Sequence, residues 1–157
     1  MQRRMKEFTM TETAIEELLC RGTLAHIGTI NDDGSPYVLP VNYIYFEGNI
    51  YIHGLKVGTK VDNIKRDNRV CIEVCEFNKV MKENLEVLCN IDVDYESVVV
   101  MGTAAEIVDV EKKKELFTKF FAKYAPDYKD LSFPEARVKG TLILEITPSN
   151  INGKYHR

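Results

Sequence analysis

Three strand-like runs follow one another with almost nothing between them, and this limits the fold more than any other feature. "TLAHIGTI" (23–30) leads through the turn "NDDGSP" into "YVLPVNYIYF" (37–46), and "EGN" then turns that run into "IYIHG". Such short links cannot carry the chain back for parallel pairing, which needs a crossover of about a dozen residues or more. An antiparallel meander is the natural arrangement.

The middle run adds a second constraint. Tyr37, Leu39, Val41, Tyr43 and Tyr45 line one face, and Val38, Pro40, Ile44 and Phe46 line the other. A strand that is apolar on both faces needs a core inside and a cover outside. In so small a domain a second copy of the chain could be that cover, so a homodimer is expected. Pro40 lacks a backbone donor and suits an edge, a bulge or a bend.

The remaining segments fit the same picture. Residues 12–20 read as a helix, with Ile15, Leu18 and Leu19 on one stripe and a capping box from Thr13 and Glu16. Val57, Val61 and Ile64 recur at helical spacing up to about Asp67. "RVCIEVCEF" is a strand, residues 78–92 read as an excursion, and "SVVVMGTAAEIVDV" is a long strand whose Gly102 marks a bulge or barrel bend. In "EKKKELFTKFFAKYAP" an apolar stripe of Leu116, Phe117, Phe120, Phe121 and Tyr124 reads as core packing, and Pro126 stops the helix. "TLILEITPSNI" closes the chain as a strand. Five or six strands and three helices without strict βαβ alternation favour an antiparallel α+β barrel over a doubly wound sheet.

The 157 residues fit a single domain over 1–157. The net charge of −3 carries no basic excess, so a nucleic-acid partner is not expected. "MQRRMKEF" is basic, but no apolar region follows it as in a signal peptide. No apolar run approaches the ~18 residues of a membrane span, and the expectation is a cytoplasmic protein without membrane contact. Cys20, Cys71, Cys75 and Cys89 form no CxxC pair, have no histidine at metal spacing, and read as reduced thiols.

The chemistry concentrates in "HGLKVGTK", between a strand and a short helix. It is not a nucleotide P-loop: Gly54 and Gly58 are one residue too close, and Thr59 precedes Lys60. Two readings stay open. A helix opening near Thr59 exposes unpaired amides to an anion, Gly58 permits close approach, and Lys56, Thr59 and Lys60 add charge and a hydroxyl. Alternatively Thr59 and Asp62 form a capping box, Gly54 and Gly58 are turn residues, and both lysines are solvated. His53, at the strand end, could bond a cofactor, donate a proton, ligate a haem iron or sit idle on a rim. His26 and His156 carry no comparable context.

The ordered string "LLCRGTLAHIGT", "DDGSPYVLPVNYIYFEGNIYIHGLKVGTKVDNIKRDNRVCIEV", "YESVVVMGTAAEIVD", a helix and a closing strand ending in "NGK" resembles the split-barrel flavoproteins of the pyridoxamine 5′-phosphate oxidase superfamily. Within it the likeness is nearest to the nitroimidazole-resistance (Nim) proteins. The resemblance implies a mainly β, six-stranded antiparallel split barrel with peripheral helices, and a homodimer with FMN at the subunit interface. It implies that Leu39, Pro40, Val41, Asn42 and Tyr43 pass along the isoalloxazine, offering backbone N–H and C=O groups to its edge. It places His53, Gly54, Lys56, Gly58, Thr59 and Lys60 at the ribityl phosphate end. It brings Ser97 and Val99 in from the partner chain.

The residues for a pyridoxamine phosphate substrate are not found, and the chain ends "NGKYHR" where the oxidase has a different pattern. Flavin-dependent reduction of a small oxidised or nitroaromatic acceptor by a reduced nicotinamide is therefore the expected function. No Rossmann glycine motif is present, so the nicotinamide would meet the flavin directly. A non-catalytic flavin or haem carrier or sensor is the alternative.

Overall fold

The computed structural model describes residues 7–81, 87–88, 91–128 and 132–157. Seven strands are seen: β1 (Ala25–Ile30), β2 (Pro36–Val41), β3 (Tyr43–Phe46), β4 (Asn49–Gly54), β5 (Arg69–Met81), β6 (Asp92–Glu106) and β7 (Leu142–His156). Among the described residues they are accompanied by the helices α1 (Glu12–Arg21), α2 (Thr59–Arg66), α3 (Val110–Tyr124) and α4 (Glu135–Gly140). A single 3₁₀ turn, Pro126–Tyr128, follows α3.

The strands form one antiparallel sheet in the order β2-β1-β5-β6-β7-β4-β3. β2 and β3 lie at opposite ends of that order, yet only Asn42 separates them in the chain. The sheet must therefore curl until its two edges meet at Asn42, which makes an open, split barrel. This corrects the expected six strands. The run 37–46 is two strands because the chain leaves β1 at Val41, paired with Ala25, and joins β4 at Tyr43, paired with Ile52. Pro40 sits in edge strand β2, where a missing N–H donor costs no ladder bond.

Other details differ from the sequence reading. α1 begins at Glu12, so its cap is Thr11, whose Oγ1 accepts from Ala14 N at 3.2 Å, and the Thr13–Glu16 capping box does not form. Val57 lies in the loop before α2 and is exposed, while Val61 and Ile64 are buried as expected. β5 continues through Asn78–Met81 and β6 starts at Asp92, so part of the expected excursion is hairpin; residues 82–86 and 89–90, with Cys89, lie outside the described residues. Gly102 does mark an irregularity: the β6–β7 register shifts beside it, and a Cβ there would collide with the Thr147 carbonyl.

Parity then decides what each face meets. Val41, Tyr43, Ile50, Ile52, Ile72, Val98, Val100 and Ile146 point into the barrel, where Leu18 and Leu19 of α1 and Val61 and Ile64 of α2 complete the core. The outer face of β3, β4 and β7 is covered by the chain's own helices: Ile44, Tyr51 and Ile143 pack on Leu116, Phe117 and Phe120 of α3 and Val138 of α4. Full burial of such side chains stabilises by roughly 1.5–3 kcal/mol each.

The outer face of β2, β1, β5 and β6 has no such cover among the described residues. Cross-strand rows run Pro40–His26–Glu73–Val99 and Val38–Gly28–Cys71–Met101. From these rows His26, Glu73, Val38, Gly28, Cys71 and Met101 line a groove of ≈ 740 Å³, with Val38 61% and Met101 47% exposed.

Candidate functional site

The loop between β4 and α2 forms because Gly58 adopts φ +114°, a conformation that residues with a Cβ rarely take. Gly58 is the N-cap of α2, and no side chain caps the helix. The Thr59–Asp62 capping box is thus absent; Val61 N–H donates to Gly58 O at 2.8 Å, and the amides of Thr59 and Lys60 are left to solvent or a ligand. A Cβ on Gly58 would meet nothing within 4 Å, so the space in front of the helix is open.

The two lysines of the loop differ. Lys56 Nζ lies 3.4 Å from Glu106 Oε1 and is already paired. Lys60 is half-buried, has no acidic partner among the described residues, and folds back over Gly54, so that a Cβ there would sit 3.5 Å from its Nζ. Burial pushes its pKa down. A half-buried ammonium without a counter-charge is costly, and a bound anion would relieve that cost.

His53 ends β4 on the face that α3 covers. Its ring stands edge-on to Phe120, with centroids 4.6 Å apart, and lies 6.2 Å from Phe117, though one edge stays exposed. Desolvation by these neighbours, then the charge of Lys60, hold its pKa below the ordinary histidine value. The imidazole is therefore neutral near pH 7, with one nitrogen able to donate and one to accept. His53, Asn42, Phe117, Phe120, Phe121 and Tyr124 enclose a cavity of ≈ 220 Å³. This brings together two sequence candidates, Asn42 of the β2–β3 junction and His53 of β4.

The strand positions 39–43 divide. β2 pairs only with β1, so its other backbone edge is unpaired beside Leu39, Pro40 and Val41. The side chain of Val41 faces the core, and Leu39 packs against it. Asn42 is exposed, with Nδ2 donating to Thr23 O at 3.2 Å. Tyr43 has its side chain fully buried in the core, its N–H donates to Tyr124 Oη at 3.0 Å, and its carbonyl accepts from the same hydroxyl at 2.7 Å.

Ser97 and Val99 lie on the uncovered face of β6. Val99 is three strands from Pro40 along its row, about 14 Å at ordinary strand spacing, so within one protomer they do not share a small ligand.

Two contributors were not singled out in the sequence. Asn63 of α2 is buried and donates to Thr29 Oγ1 at 3.0 Å and to Asn31 Oδ1 at 2.9 Å, tying the helix to β1 and the turn after it. Tyr124 was read as core stripe, yet its hydroxyl holds the β2–β3 junction.

Cys71 and Cys75 are held as thiols rather than thiolates. A hydrogen bond with Glu73, then burial, pushes Cys75 up to about 11, and burial raises Cys71. His26 is paired across strands, its Nδ1 3.1 Å from Glu73 Oε2. No helix among the described residues is long and apolar enough to cross a membrane.

Comparison with known proteins follows this geometry. No curated protein matches the chain. Among solved structures it is similar to a candidate 5-nitroimidazole antibiotic resistance protein from Bacteroides thetaiotaomicron, at 23% identity and TM-score 0.82, covering 94% of this chain and 86% of that one. The flavocytochrome Anf3 from Azotobacter vinelandii superposes with TM-score 0.87 at 19% identity, covering 99% and 72%. An FAD and haem binding protein from Mycobacterium smegmatis gives TM-score 0.81 at 18% identity, covering 94% and 72%. These likenesses establish a shared split-barrel fold. The model of the pyridoxamine 5′-phosphate oxidase family matches residues 11–155, nearly the whole chain, and the protein belongs to that family.

Proposed function

We propose that this protein is an FMN-binding oxidoreductase that passes electrons from a reduced nicotinamide donor to a small oxidised acceptor, a nitroaromatic being the class its relatives point to. The observation that carries this reading is Lys60: a half-buried ammonium with no acidic partner among the described residues, set beside an uncapped helix N-terminus and an open approach over Gly58. A phosphate there would meet helix amides, the Thr59 hydroxyl and the Lys60 charge at once. Membership of the family and the flavin-binding proteins among its structural relatives support the same assignment.

The residues present fit FMN. The unpaired edge of β2 at Leu39–Val41, with Asn42 beyond it, offers backbone groups to a planar ring, and His53 stands between that edge and the phosphate loop. Bound flavin would supply the hydride and electron chemistry. Neutral His53 can hold a proton at the acceptor, and Phe117, Phe120 and Phe121 exclude water from one side. The bare face of β2, β1, β5 and β6 fits a homodimer in which Ser97 and Val99 of one protomer approach the ring bound by the other.

Haem at His53 is disfavoured. Phe120 already packs edge-on against the imidazole, with ring centroids 4.6 Å apart, where an iron ligand would need open space.

The decisive experiment is the visible spectrum of the purified protein after incubation with FMN. Flavin bands that bleach with NAD(P)H and return with a nitroaromatic support the proposal, and a protein that takes up no flavin overturns it.

A further inference from the structure

A separate cleft of ≈ 300 Å³ lies between the C-terminal half of α3, the 3₁₀ turn that follows it and α4. Aromatic rings make its wall. Phe133 sits between Phe117 and Phe121, its ring centroid 5.7 Å from the first and 5.2 Å from the second. Tyr128 adds a fourth ring. Phe121 is 40% and Tyr128 61% exposed, so this cleft leaves aromatic surface facing water. Arg137 of α4 is the one charged residue lining it, and no carboxylate does.

Arg137 differs from the other arginines among the described residues. Arg21 and Arg157 both pair with Glu96, Arg66 with Asp32 and Arg69 with Asp67. The Arg137 guanidinium has neither an ion pair nor a hydrogen bond among the described residues; only its backbone is bonded, to Pro134 and Thr141. Glu135, the nearest acid along the chain, is already taken: its Oε1 lies 2.5 Å from Lys139 Nζ. Residues two apart on a helix do not face each other, so Glu135 does not neutralise Arg137. A guanidinium presents its donors as a planar fork that matches the two oxygens of a carboxylate. Aromatic rings accept a flat apolar body by stacking or edge contact. A cleft holding both, and no acid, is complementary to a molecule with one ring system and one negative group.

We propose that this cleft is a binding site for a small aromatic carboxylate. Its ring rests against Phe121, Phe133 and Tyr128, and its carboxylate accepts from the Arg137 guanidinium. The site uses no residue of the phosphate loop and is independent of the flavin reading. Phe117 and Phe121 also wall the cavity beside His53, so the two cavities lie next to each other.

The test uses the full chain and two probes that differ only in their polar group, 2-naphthoate and 2-naphthylmethanol, each titrated calorimetrically at neutral pH. The expected result is one probe per chain, with the carboxylate binding about tenfold or more tighter than the alcohol, as a charge-assisted contact gives. Added salt should narrow that gap, since the guanidinium is exposed to solvent. Arg137→Met should erase the preference and leave the affinity for the alcohol in place, and Arg137→Lys should restore part of it. Arg137 is exposed and its side chain unpaired, so these variants remove no contact of the fold. Tyr128→Ala should weaken both probes alike. Saturating FMN should leave naphthoate bound; its displacement would put the anion at the phosphate loop and overturn the proposal. Equal affinity for the two probes, a preference that survives in Arg137→Met, or no binding at millimolar probe would overturn it as well.

Discussion

The hydroxyl of Tyr124 meets both backbone polar groups of Tyr43, accepting from its N–H at 3.0 Å and lying 2.7 Å from its carbonyl oxygen. A helix side chain thus takes the place of a strand partner where the chain passes from one sheet edge to the other. Thr23 O, 2.8 Å from the same hydroxyl, shares its single proton with that carbonyl. Tyr124→Phe should therefore destabilise by about 1–3 kcal/mol, the cost of leaving buried backbone groups unmet. Urea denaturation of both proteins measures it, and a change within error would mean that water replaces the hydroxyl.

Lys60→Ala should weaken FMN about 10- to 100-fold while leaving riboflavin, which has no phosphate, nearly unaffected. Lys56→Ala should do much less, since Lys56 is already held by Glu106. Flavin fluorescence titrations with both ligands check this. Equal losses for the two flavins would make Lys60 a support of the fold only.

Gly58→Ala should cost about 1 kcal/mol or more of apo stability, because φ is +114° there. The added methyl meets only open space in the free protein, so apo strain comes from the backbone alone. Any further loss of FMN affinity beyond that of riboflavin reports the methyl obstructing the phosphate. Melting temperature and dissociation constants on one sample separate the two effects.

Because the folded-state pKa of His53 is lowered, the unfolded chain binds more protons between that value and the unfolded value of about 6.5. Stability therefore rises with pH through this window. The contribution is fully present above about 6.5 and is lost as pH falls through the folded value. His53→Asn should flatten the dependence of melting temperature between pH 5 and 7.5. An unchanged slope in the variant would assign the dependence to other groups.

Met101→Glu places a charge in the middle of the bare sheet face and should convert a dimer to a folded monomer. Light scattering with circular dichroism reads both properties. The wild-type dimer should bury more than roughly 2,000 Å² in total. A wild-type monomer at micromolar concentration that still binds FMN tightly would refute the dimeric site.

Local chemistry made much of this legible from the sequence. Alternation put Val41 and Tyr43 on one face and Ile44 on the other, the helical stripe put Leu116, Phe117 and Phe120 in the core, and Pro40 and Gly102 marked an edge and a bulge. The split at Asn42 was hidden because nothing local distinguishes a continuous strand from one that changes partners; only pairing with Ala25 on one side and Ile52 on the other defines it. The Lys56–Glu106 pair joins residues far apart in sequence, so the inequality of the two loop lysines could not be read from spacing. Asn63 carries no signal of its own in the sequence, and its burial follows from how α2 docks on β1.

Asn42 also fixes how the chain can vary in length. Val41 and Tyr43 both point inward with one residue between them, so parity runs unbroken across the junction. A single insertion or deletion there would turn β3 over, sending Tyr43 toward α3 and Ile44 into the barrel. Within the β1–β2 turn Asn31 is held by the buried Asn63, while residues 32–35 are exposed, so the turn can lengthen or shorten after Asn31 without moving a core residue. Related chains should therefore differ in length at the β1–β2 turn and keep the spacing between Val41 and Tyr43.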